Sequence, residues 1–588
     1  MIFGSSAVVN VGSLFATSLD IDDQDFMSGN YMFRDGDSLA GAMLNYGTIS
    51  AATGGVVGLV GDHVVNEGTI TATLGSVVLA VGDQATVDFD GTGKIQFAID
   101  EEVLTNHANS PHALHNKGAI SADGGEVHLT AKVAAGIFSE AVNNEGLVQA
   151  NRVEQVGGVI YLRADGGGVA HVGELKSAGG AIEITSSDTV TLNQGALVDA
   201  SDSGADGGSI RVVADRVIMN DEVKVLADGA VKGGSIDING ENFVALAGLI
   251  QANGLDGGDI IVNTGGTLSL AGQVQAHGLQ GQGGEISYAA ANRILESSSG
   301  SSSVIGVIRG GHIGVMSQGD LVSSGSYHAY GRSGGIIDIS AVNTIRLLAT
   351  QIDAHGEIAG GVIQVGGVLQ GGKQPDSNAA LWSQERYAFL PRTVSASKTF
   401  INDGAQLNVS AFQGEGGLAV VWSDVETTML ANIDASGASS GGLVEISSAQ
   451  QLNYSSLADI NIGAGGQLLL DPKNITIGEL AQVQGWALQG LLGIGYQEGS
   501  VKSTNISLQQ NDMLGYAVAL DSDGDRMALG GAGDDGASTM TTDAGAVYLF
   551  SFSDTEFSGA SLLATVGKGY SGGKNVDVSA LEQTELFW

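Results

Sequence analysis

The chain has 588 residues, of which 43% are hydrophobic and 15% charged, so it is long and apolar enough for an extensive core. Its 92 glycines stand beside only four prolines, which excludes collagen and a proline-rich disordered tract. A net charge of −40 argues against binding to nucleic acid or to anionic lipid, and the lack of cysteine excludes disulfides and thiol catalysis.

The beginning of the chain carries no targeting signal. No apolar stretch reaches 18 residues, so the sequence predicts no transmembrane helix. Met1 is followed directly by a strand-like segment at 7–11, so a signal peptide is also missing. Such a chain is either cytosolic or a fragment whose natural start is absent.

Residues 1–150 contain four copies of the pattern Asn-x-Gly-x-(Ile/Val)-x-Ala, which begin at Asn45, Asn66, Asn116 and Asn144. Asn tolerates the left-handed backbone conformation and Gly adopts it freely, so each copy is typical of a turn followed by an alternating strand. The sequence therefore predicts stacked turn asparagines at one corner of a coil. A row of asparagine ligands for a glycan is the alternative.

Three histidines, His107, His112 and His115, lie close together in the segment 105–116. Their His-x4-His-x2-His spacing could hold Zn²⁺, but no fourth ligand with suitable spacing follows. A polar loop that projects from the domain is the simpler interpretation.

Residues 151–477 are dominated by Gly-Gly pairs, each followed by a short β-branched segment. Between Gly207 and Gly360 successive pairs lie 26, 24, 26, 27, 24 and 26 residues apart. A fixed period in this range indicates a solenoid, with room in each coil for three short strands and three turns. Residues 366–400 interrupt the period, which predicts a loop excursion or an irregular coil, and binding sites are common on such loops.

The other polar residues of this region are interpreted as parts of the repeat. His277, His328 and His355 each precede a Gly-Gly turn, which favours a place at a corner of the coil. A polysaccharide-cleaving solenoid needs two or three carboxylates on one face, and no acidic pair recurs at one offset in adjacent coils. We therefore expect no enzyme, and we assign no catalytic or cofactor-binding residue.

The repeat stops after residue 477. Residues 478–511 are expected to form a linker, with a short helix near 479–492, and a different pattern begins at residue 512. There Asp521, Asp523 and Asp525 have the every-other-residue spacing of a calcium loop. The Gly and the distal acidic ligand of an EF-hand are missing, so a solvated turn between two strands is the alternative.

The N-terminal region resembles the secretion domain of two-partner secretion exoproteins of the filamentous haemagglutinin type. The resemblance rests on the Asn-x-Gly repeats and on Ala7-x-Val-Asn-Val-Gly-Ser-Leu14. Further along, Gly416-Gly-Leu-Ala-Val-Val-Trp422-Ser-Asp424 and Leu469-Leu-Asp-Pro-Lys-Asn-Ile-Thr476 look like segments of the same family. The resemblance thus covers about residues 1–477.

This resemblance implies an all-β fold, a right-handed parallel β-helix, with a secretion domain at 1–150 and a repeat region at 151–477. It implies export through an outer-membrane β-barrel transporter and a secreted or surface-bound adhesin that attaches to glycans or proteins of host or neighbouring cells. The family's signal peptide and its Asn-Pro-rich motifs are missing ahead of the first strand. We therefore expect an N-terminally truncated chain.

Residues 512–588 resemble the Phe-Gly-Gly-Ala-Pro (FG-GAP) repeats of integrin-type β-propellers. The matching segments are 514–520, 521–532 and 544–550, and a second copy begins at Leu581 and ends with the chain. The resemblance implies a partial β-propeller-like blade after the solenoid, truncated at its C terminus.

Two alternatives to an adhesin remain open. One is an extracellular polysaccharide-active enzyme on the same scaffold, which turnover of a glycan would reveal. The other is the stalk of a contact-dependent inhibition toxin, which would require a toxin module at the C terminus.

Overall fold

The computed structural model describes residues 1–34, 41–89, 95–154, 156–372 and 394–480, together with 491–493, 503–505, 514–521, 525–531, 534, 545–553, 560–570 and 575–577. The chain divides into two compact units. The first comprises 1–296 and 300–486, and the second comprises 487–588 with 297–299.

The first unit is a parallel β-solenoid whose coils each contribute up to four short strands. The first strands of successive coils are Leu14–Thr17, Val56–Gly61, Ser76–Val81, Glu126–Lys132, Val159–Asp165, Ala181–Ser186, Asp259–Thr264, Glu285–Ala290, His312–Ser317, Ile336–Ala341, Val362–Val365, Leu418–Val421, Leu443–Ile446 and Gln467–Leu469. In two coils the first and second strands run together as Ser209–Met219 and Ser235–Leu246.

The second strands follow after a bend. They are Ile2–Phe3, Ala42–Asn45, His63–Asn66, His112–Asn116, Glu140–Asn144, Gly168–His171, Thr189–Leu192, Thr267–Leu270, Arg293–Glu296, Asp320–Ser323, Thr344–Leu347, Lys398–Ile401, Glu426–Met429, Gln451–Ser455 and Asn474–Gly478. First and second strands together form one 31-stranded sheet in which each strand pairs in parallel with its equivalent in the neighbouring coils.

The third strands form a separate sixteen-stranded parallel sheet. They are Val8–Val11, Thr48–Ala51, Thr69–Thr71, Ala119–Ser121, Leu147–Gln149, Glu174–Lys176, Leu197–Asp199, Lys224–Leu226, Leu249–Gln251, Gln273–Gln275, Ser301–Ser303, Ser326–His328, Gln351–Asp353, Gln406–Asn408, Asn432–Asp434 and Ile460–Asn461. Three coils add a fourth short strand, Gly306–Arg309, Gly331–Ser333 and Gly356–Ala359. These sheets confirm the predicted all-β parallel solenoid.

Alternation of side chains along each strand fills the interior of the solenoid. In the third strands, for example, the central residues Ile70, Ile120 and Val148 stack in register and are fully buried. The buried residues form one continuous apolar cluster that extends from Ala16 to Leu452. Each coil therefore buries its apolar face only against its neighbours, as in other repeat proteins.

The Gly-Gly pairs lie where the third strand of one coil turns into the first strand of the next. A Cβ atom on Gly208 would lie 2.1 Å from the carbonyl oxygen of Gly180, and one on Gly234 would lie 2.1 Å from that of Gly208. None of these three glycines has a positive φ. Glycine is needed here because the backbones of adjacent coils approach too closely for any side chain.

Close approach of adjacent backbones also explains the glycine of the Asn-x-Gly turns. The expectation that this glycine supplies a left-handed conformation is wrong. Gly47 and Gly68 do not adopt a left-handed conformation. A Cβ on Gly68 would instead lie 2.1 Å from the carbonyl oxygen of Gly47. Close packing between coils, and not the turn conformation, selects glycine at these positions.

The four repeat asparagines form a buried column, as the sequence predicted. Asn45 donates through Nδ2 to Oδ1 of Asn66 at 2.8 Å, Asn66 donates to Asn116 at 2.7 Å, and Asn116 donates to Asn144 at 2.7 Å. All four are fully buried, so they contact no external ligand. The column ends at His171, whose Nδ1 lies 3.1 Å from Asn144 Nδ2 and whose Nε2 lies 3.2 Å from the carbonyl oxygen of Leu197.

Replacement of Asn116 by Leu is expected to lower the free energy of unfolding by about 2 kcal/mol, because Asn66 loses its acceptor and Asn144 loses its donor inside the core. Urea denaturation followed by circular dichroism measures the loss. The exposed Asn343 gives the matched control, and its change to Leu should alter stability by less than about 0.5 kcal/mol. Equal effects of the two substitutions would contradict this account.

A small antiparallel sheet covers part of the outer face of the N-terminal coils. It is formed by Met32–Arg34, Gln84–Phe89 and Ile95–Glu101, and a short helix, Asp23–Ser28, lies just before it in the chain. Its residues Phe33 and Val87 pack on Val60 and Val78, which point outward from first strands. The outward valines of this region are therefore part of a second, smaller core.

The interruption at 366–400 is an excursion between the first and second strands of one coil. Strand Val362–Val365 pairs with Leu418–Val421, and Lys398–Ile401 pairs with Thr344–Leu347 and Glu426–Met429, so the coil itself is regular. The excursion begins with glycines in left-handed conformations, and a Cβ on Gly371 would lie 2.4 Å from the ring of Trp422. Gln370 N donates to Glu445 Oε2 at 2.7 Å, which ties the excursion to the outer face of the coils. Residues 373–393, which include Trp382 and Tyr387, lie outside the described residues.

The second unit contains a five-stranded sheet in sequence order. Its strands are Leu514–Leu520, Arg526–Gly531, Ala546–Ser551, Ser561–Gly567 and Val576–Asp577, of which the first four pair antiparallel and the last pairs parallel. Leu529, Tyr548, Phe550 and Phe552 form its apolar cluster. Two further strands, Leu491–Gly493 and Ser503–Asn505, pair in parallel. The first of them replaces the end of the helix expected near 479–492, of which 481–490 lie outside the described residues.

Candidate functional site

One corner of the solenoid carries exposed apolar side chains in several neighbouring coils. The corner lies between the third strand of each coil and the first strand of the next. Its exposed side chains, which we call the apolar corner, are Val231, Leu255, Leu279, Val307, Ile308, Ile358 and Phe412, each between 38% and 72% exposed. Single exposed apolar residues are ordinary on a protein surface, whereas a row of them usually marks a binding surface.

Backbone hydrogen bonds place these side chains one above the other. Leu279 N donates to Gly254 O at 2.8 Å, which sets Leu279 beside Leu255, and Val307 N donates to Gly278 O at 3.2 Å. Parallel pairing of this kind separates neighbouring coils by about 4.8 Å. The apolar corner is therefore a continuous strip from Val231 to Val307. Beyond Val307 the same register places the exposed charged residues Arg332 and Glu357 before Phe412.

Aromatic rings extend the strip at its C-terminal end. The rings of Tyr330 and His355 are stacked with centroids 4.7 Å apart and an angle of 20°. His355 also meets the ring of Phe412 edge to face at 5.5 Å. His355 is held in place by Asp353, whose Oδ1 lies 2.8 Å from His355 Nδ1. Rings fixed in this way offer flat faces to a sugar ring or to apolar side chains.

The three corner histidines do not occupy one repeat position. His328 lies in the third strand and pairs with Ser303 and Asp353 of the neighbouring coils. His355 lies two residues beyond its own third strand, at the position that Tyr330 and His277 take in other coils. Burial lowers the pKa of His277 and of His328, so both are neutral at pH 7. These histidines are corner residues, as predicted, but at two different positions.

The predicted calcium residues lie in the hairpin that joins the first two strands of the second unit. The carboxylate of Asp521 accepts a hydrogen bond from Arg526 N at 3.2 Å. Asp525 follows in the same turn, and its backbone oxygen accepts from Phe552 N at 2.8 Å. Asp523 lies outside the described residues. Asp521 and Asp525 thus lie at the two ends of the connection between these strands, and calcium binding stays a prediction.

The three histidines of the segment 105–116 lie at two different places in the structure. His107 lines a small cavity of about 70 Å³ together with Asp62, His63 and Phe138. His112 and His115, by contrast, lie on the strand His112–Asn116 and not in a projecting loop. Their rings face Glu145, which comes from the next coil. Sequence spacing did not reveal Glu145, because it becomes a neighbour only through the coil register.

A buried acidic residue was also missed by the sequence analysis. Glu296 occupies the interior position that Leu270 holds in the preceding coil. It accepts hydrogen bonds from Ser323 Oγ at 2.6 Å and from the Tyr327 hydroxyl, while its Oε1 is buried without a hydrogen-bond partner. Burial raises the pKa of Glu296 to about 7, although these two hydrogen bonds work in the opposite direction. Glu296 is therefore a titratable group inside the core.

Two further acidic residues are buried on the outer face of the first strands. Asp338 and Glu445 belong to one outward row, separated by Gln364 and Val420. Burial raises the pKa of each to about 7, and in Glu445 the hydrogen bond from Gln370 N opposes the shift. The described part of the chain thus holds three carboxyl groups that are partly protonated near neutral pH.

Comparison with known proteins identifies the N-terminal part of the chain. Residues 1–177 match the family model described as TPS secretion domain. The solved structure of the HMW1 secretion domain from Haemophilus influenzae is 18% identical, with 81% of this chain and 77% of that chain covered and a TM-score of 0.19. A search of curated proteins gave no match. No helix among the described residues is long and apolar enough to cross a membrane.

Proposed function

We propose that this chain is a secreted exoprotein of the two-partner type that acts as an adhesin. Residues 1–177 match the TPS secretion domain, and that domain implies a cognate outer-membrane transporter. The observation that carries the proposal is the apolar corner. It forms an exposed strip from Val231 to Val307, and Phe412 with the stacked rings of Tyr330 and His355 lies further along the same corner. In this proposal the secretion domain directs export and the solenoid presents the strip at the cell surface.

The composition of the strip favours neutral glycans or apolar protein surfaces as targets. Its side chains are aliphatic or aromatic, and the chain as a whole carries a net charge of −40. Such a surface repels anionic polymers but leaves stacking and apolar contact available. Attachment, and not catalysis, is the activity that these side chains support.

We propose further that residues 512–588 are an FG-GAP-like repeat of a β-propeller. Support comes from the four antiparallel strands that follow one another in sequence order, which is the arrangement of a propeller blade. A single blade leaves its sheet edges unpaired, so this repeat would act together with further blades.

An attachment assay tests the adhesin proposal. The labelled protein is incubated with fixed mammalian or bacterial cells, and bound fluorescence is compared with that of the triple variant Leu279→Ser, Val307→Ser, Phe412→Ser. Interface energy is concentrated in a few central apolar side chains, so we expect binding to fall by about tenfold.

The matched control changes three apolar residues of similar exposure outside the corner, Val8, Leu104 and Leu457, to Ser. This control should bind as the unmodified protein does. Equal binding by the corner variant and the control would refute the role of the strip. Turnover of a glycan added to the same assay would instead favour a polysaccharide-active enzyme.

A further inference from the structure

His112 and His115 lie on one outer face of the secretion domain, although a spacing of three residues would normally place them on opposite faces of a strand. In a regular strand, residues three apart point to opposite faces. Here Ala113 and Leu114 are consecutive buried residues, so the alternation is interrupted and both histidine rings remain on the outer side. The rings meet edge to face with their centroids 4.7 Å apart.

The next coil adds a carboxylate to this pair. Glu145 directly follows the strand Glu140–Asn144, which pairs with His112–Asn116. The ligand atoms of His112, His115 and Glu145 all lie within 4.8 Å of one another, and His115 Nε2 is 2.9 Å from Glu145 Oε1. Two imidazole nitrogens and one carboxylate oxygen are a common ligand set for zinc.

A second carboxylate orients one of the rings. Glu140 Oε2 lies 2.9 Å from His112 Nδ1, a close contact without the angles of a hydrogen bond, and the opposite nitrogen, Nε2, faces the cluster. Histidines that bind metal ions commonly hold a carboxylate at their other ring nitrogen, because this fixes the tautomer and the direction of the ring.

Asn143 occupies the centre of the cluster in a way that leaves it incompletely satisfied. Its Nδ2 lies 3.1 Å from His112 Nε2, 3.4 Å from His115 Nε2 and 3.0 Å from Glu145 Oε1. One amide group has only two hydrogens for these three contacts. Its Oδ1 is buried and has no hydrogen-bond partner. A half-turn of the amide would direct this oxygen toward the cluster, where it could serve as a further ligand atom.

From these contacts we propose that His112, His115 and Glu145 bind a zinc ion, with Asn143 beside it and Glu140 holding His112. The ion joins two neighbouring coils of the secretion domain, so its binding stabilises their register. None of these residues belongs to the apolar corner. The test of the zinc site therefore does not depend on the adhesin proposal.

Isothermal titration calorimetry of the full chain with ZnCl2 tests the site. We expect saturable binding of one Zn²⁺ at these residues, which His115→Ala removes. Glu140→Gln should weaken binding by about tenfold to 100-fold, because it releases the ring of His112 but removes no ligand. Ca²⁺ prefers oxygen ligands and should not compete.

His128→Ala is the matched control. His128 is another partly exposed histidine of this domain, with its Nε2 3.0 Å from Glu126 Oε2, but it has no second histidine beside it. This variant should bind zinc as the unmodified chain does, and circular dichroism verifies that each variant is folded. Absence of zinc binding by the unmodified chain, or retention of the site in His115→Ala, would overturn the proposal.

Discussion

Alanine at Gly258 is expected to lower the free energy of unfolding by about 4 kcal/mol, among the largest effects of any single substitution. The new Cβ would lie 2.2 Å from the carbonyl oxygen of Gly234 and 2.6 Å from the carbonyl carbon of Gly233. Both are backbone atoms of the adjacent coil, so no side chain can move aside. The coils must separate locally, which weakens the hydrogen bonds and the apolar contacts between them.

Urea denaturation measured by circular dichroism and by tryptophan fluorescence tests this expectation. Because each coil contacts only its neighbours, a weakened contact should divide unfolding into two steps. Gly12→Ala is the control, since no atom lies within 4 Å of the Cβ that it adds. A Gly258→Ala chain that unfolds as the unmodified chain does would show that close approach is not the reason for the Gly-Gly pairs.

Replacement of Glu296 by Gln is expected to remove part of the pH dependence of stability. Burial raises the pKa of Glu296 to about 7 in the folded state, from an ordinary value of 4.5. The folded state therefore holds the proton more firmly than the unfolded state does. This proton stabilises the folded state fully below about pH 4.5, and its stabilising effect is lost as the pH rises through 7. The free energy of unfolding falls by about 3 kcal/mol over this range.

Glu296→Gln keeps the oxygen that accepts hydrogen bonds from Ser323 and Tyr327 but cannot ionise. At pH 8 this variant should be more stable than the unmodified chain, and at pH 5 the two should differ little. Unfolding midpoints measured at pH 5, 6, 7 and 8 give the comparison. The exposed Glu241 provides the control, because its change to Gln should leave the pH profile unchanged. A variant that follows the same profile as the unmodified chain would contradict the assignment.

The solenoid was predictable because its cause is local and repeated. A Gly-Gly pair followed by alternating β-branched residues recurs about every 26 residues, and each recurrence marks the same corner. The excursion was found for the same reason, as a gap in that period. The asparagine column was predicted from the recurrence of Asn-x-Gly, although glycine is present there because of close packing and not because of its conformation.

The residues of the candidate sites were harder to predict because neighbouring coils bring them together. Glu145 joins His112 and His115 only through the register of two strands. Both rings face outward because Ala113 and Leu114 are consecutive buried residues, which interrupts the alternation of the strand. Glu296 stands in the sequence as an ordinary acidic residue after a strand. Only its pairing with Leu270 shows that it points into the core. Spacing along the chain does not show which residues of neighbouring coils come together or which of them point into the core.

The asparagine column also has a direction. Each amide nitrogen donates to the asparagine of the following coil, so each coil presents a buried donor that the next coil must satisfy. A slip that brought the next residue along the chain to this donor would place Glu67, Lys117 or Glu145 there and force a charge into the core. The column therefore favours a single register among these four coils. A domain that contains such a column offers the coil that follows it a correctly aligned surface.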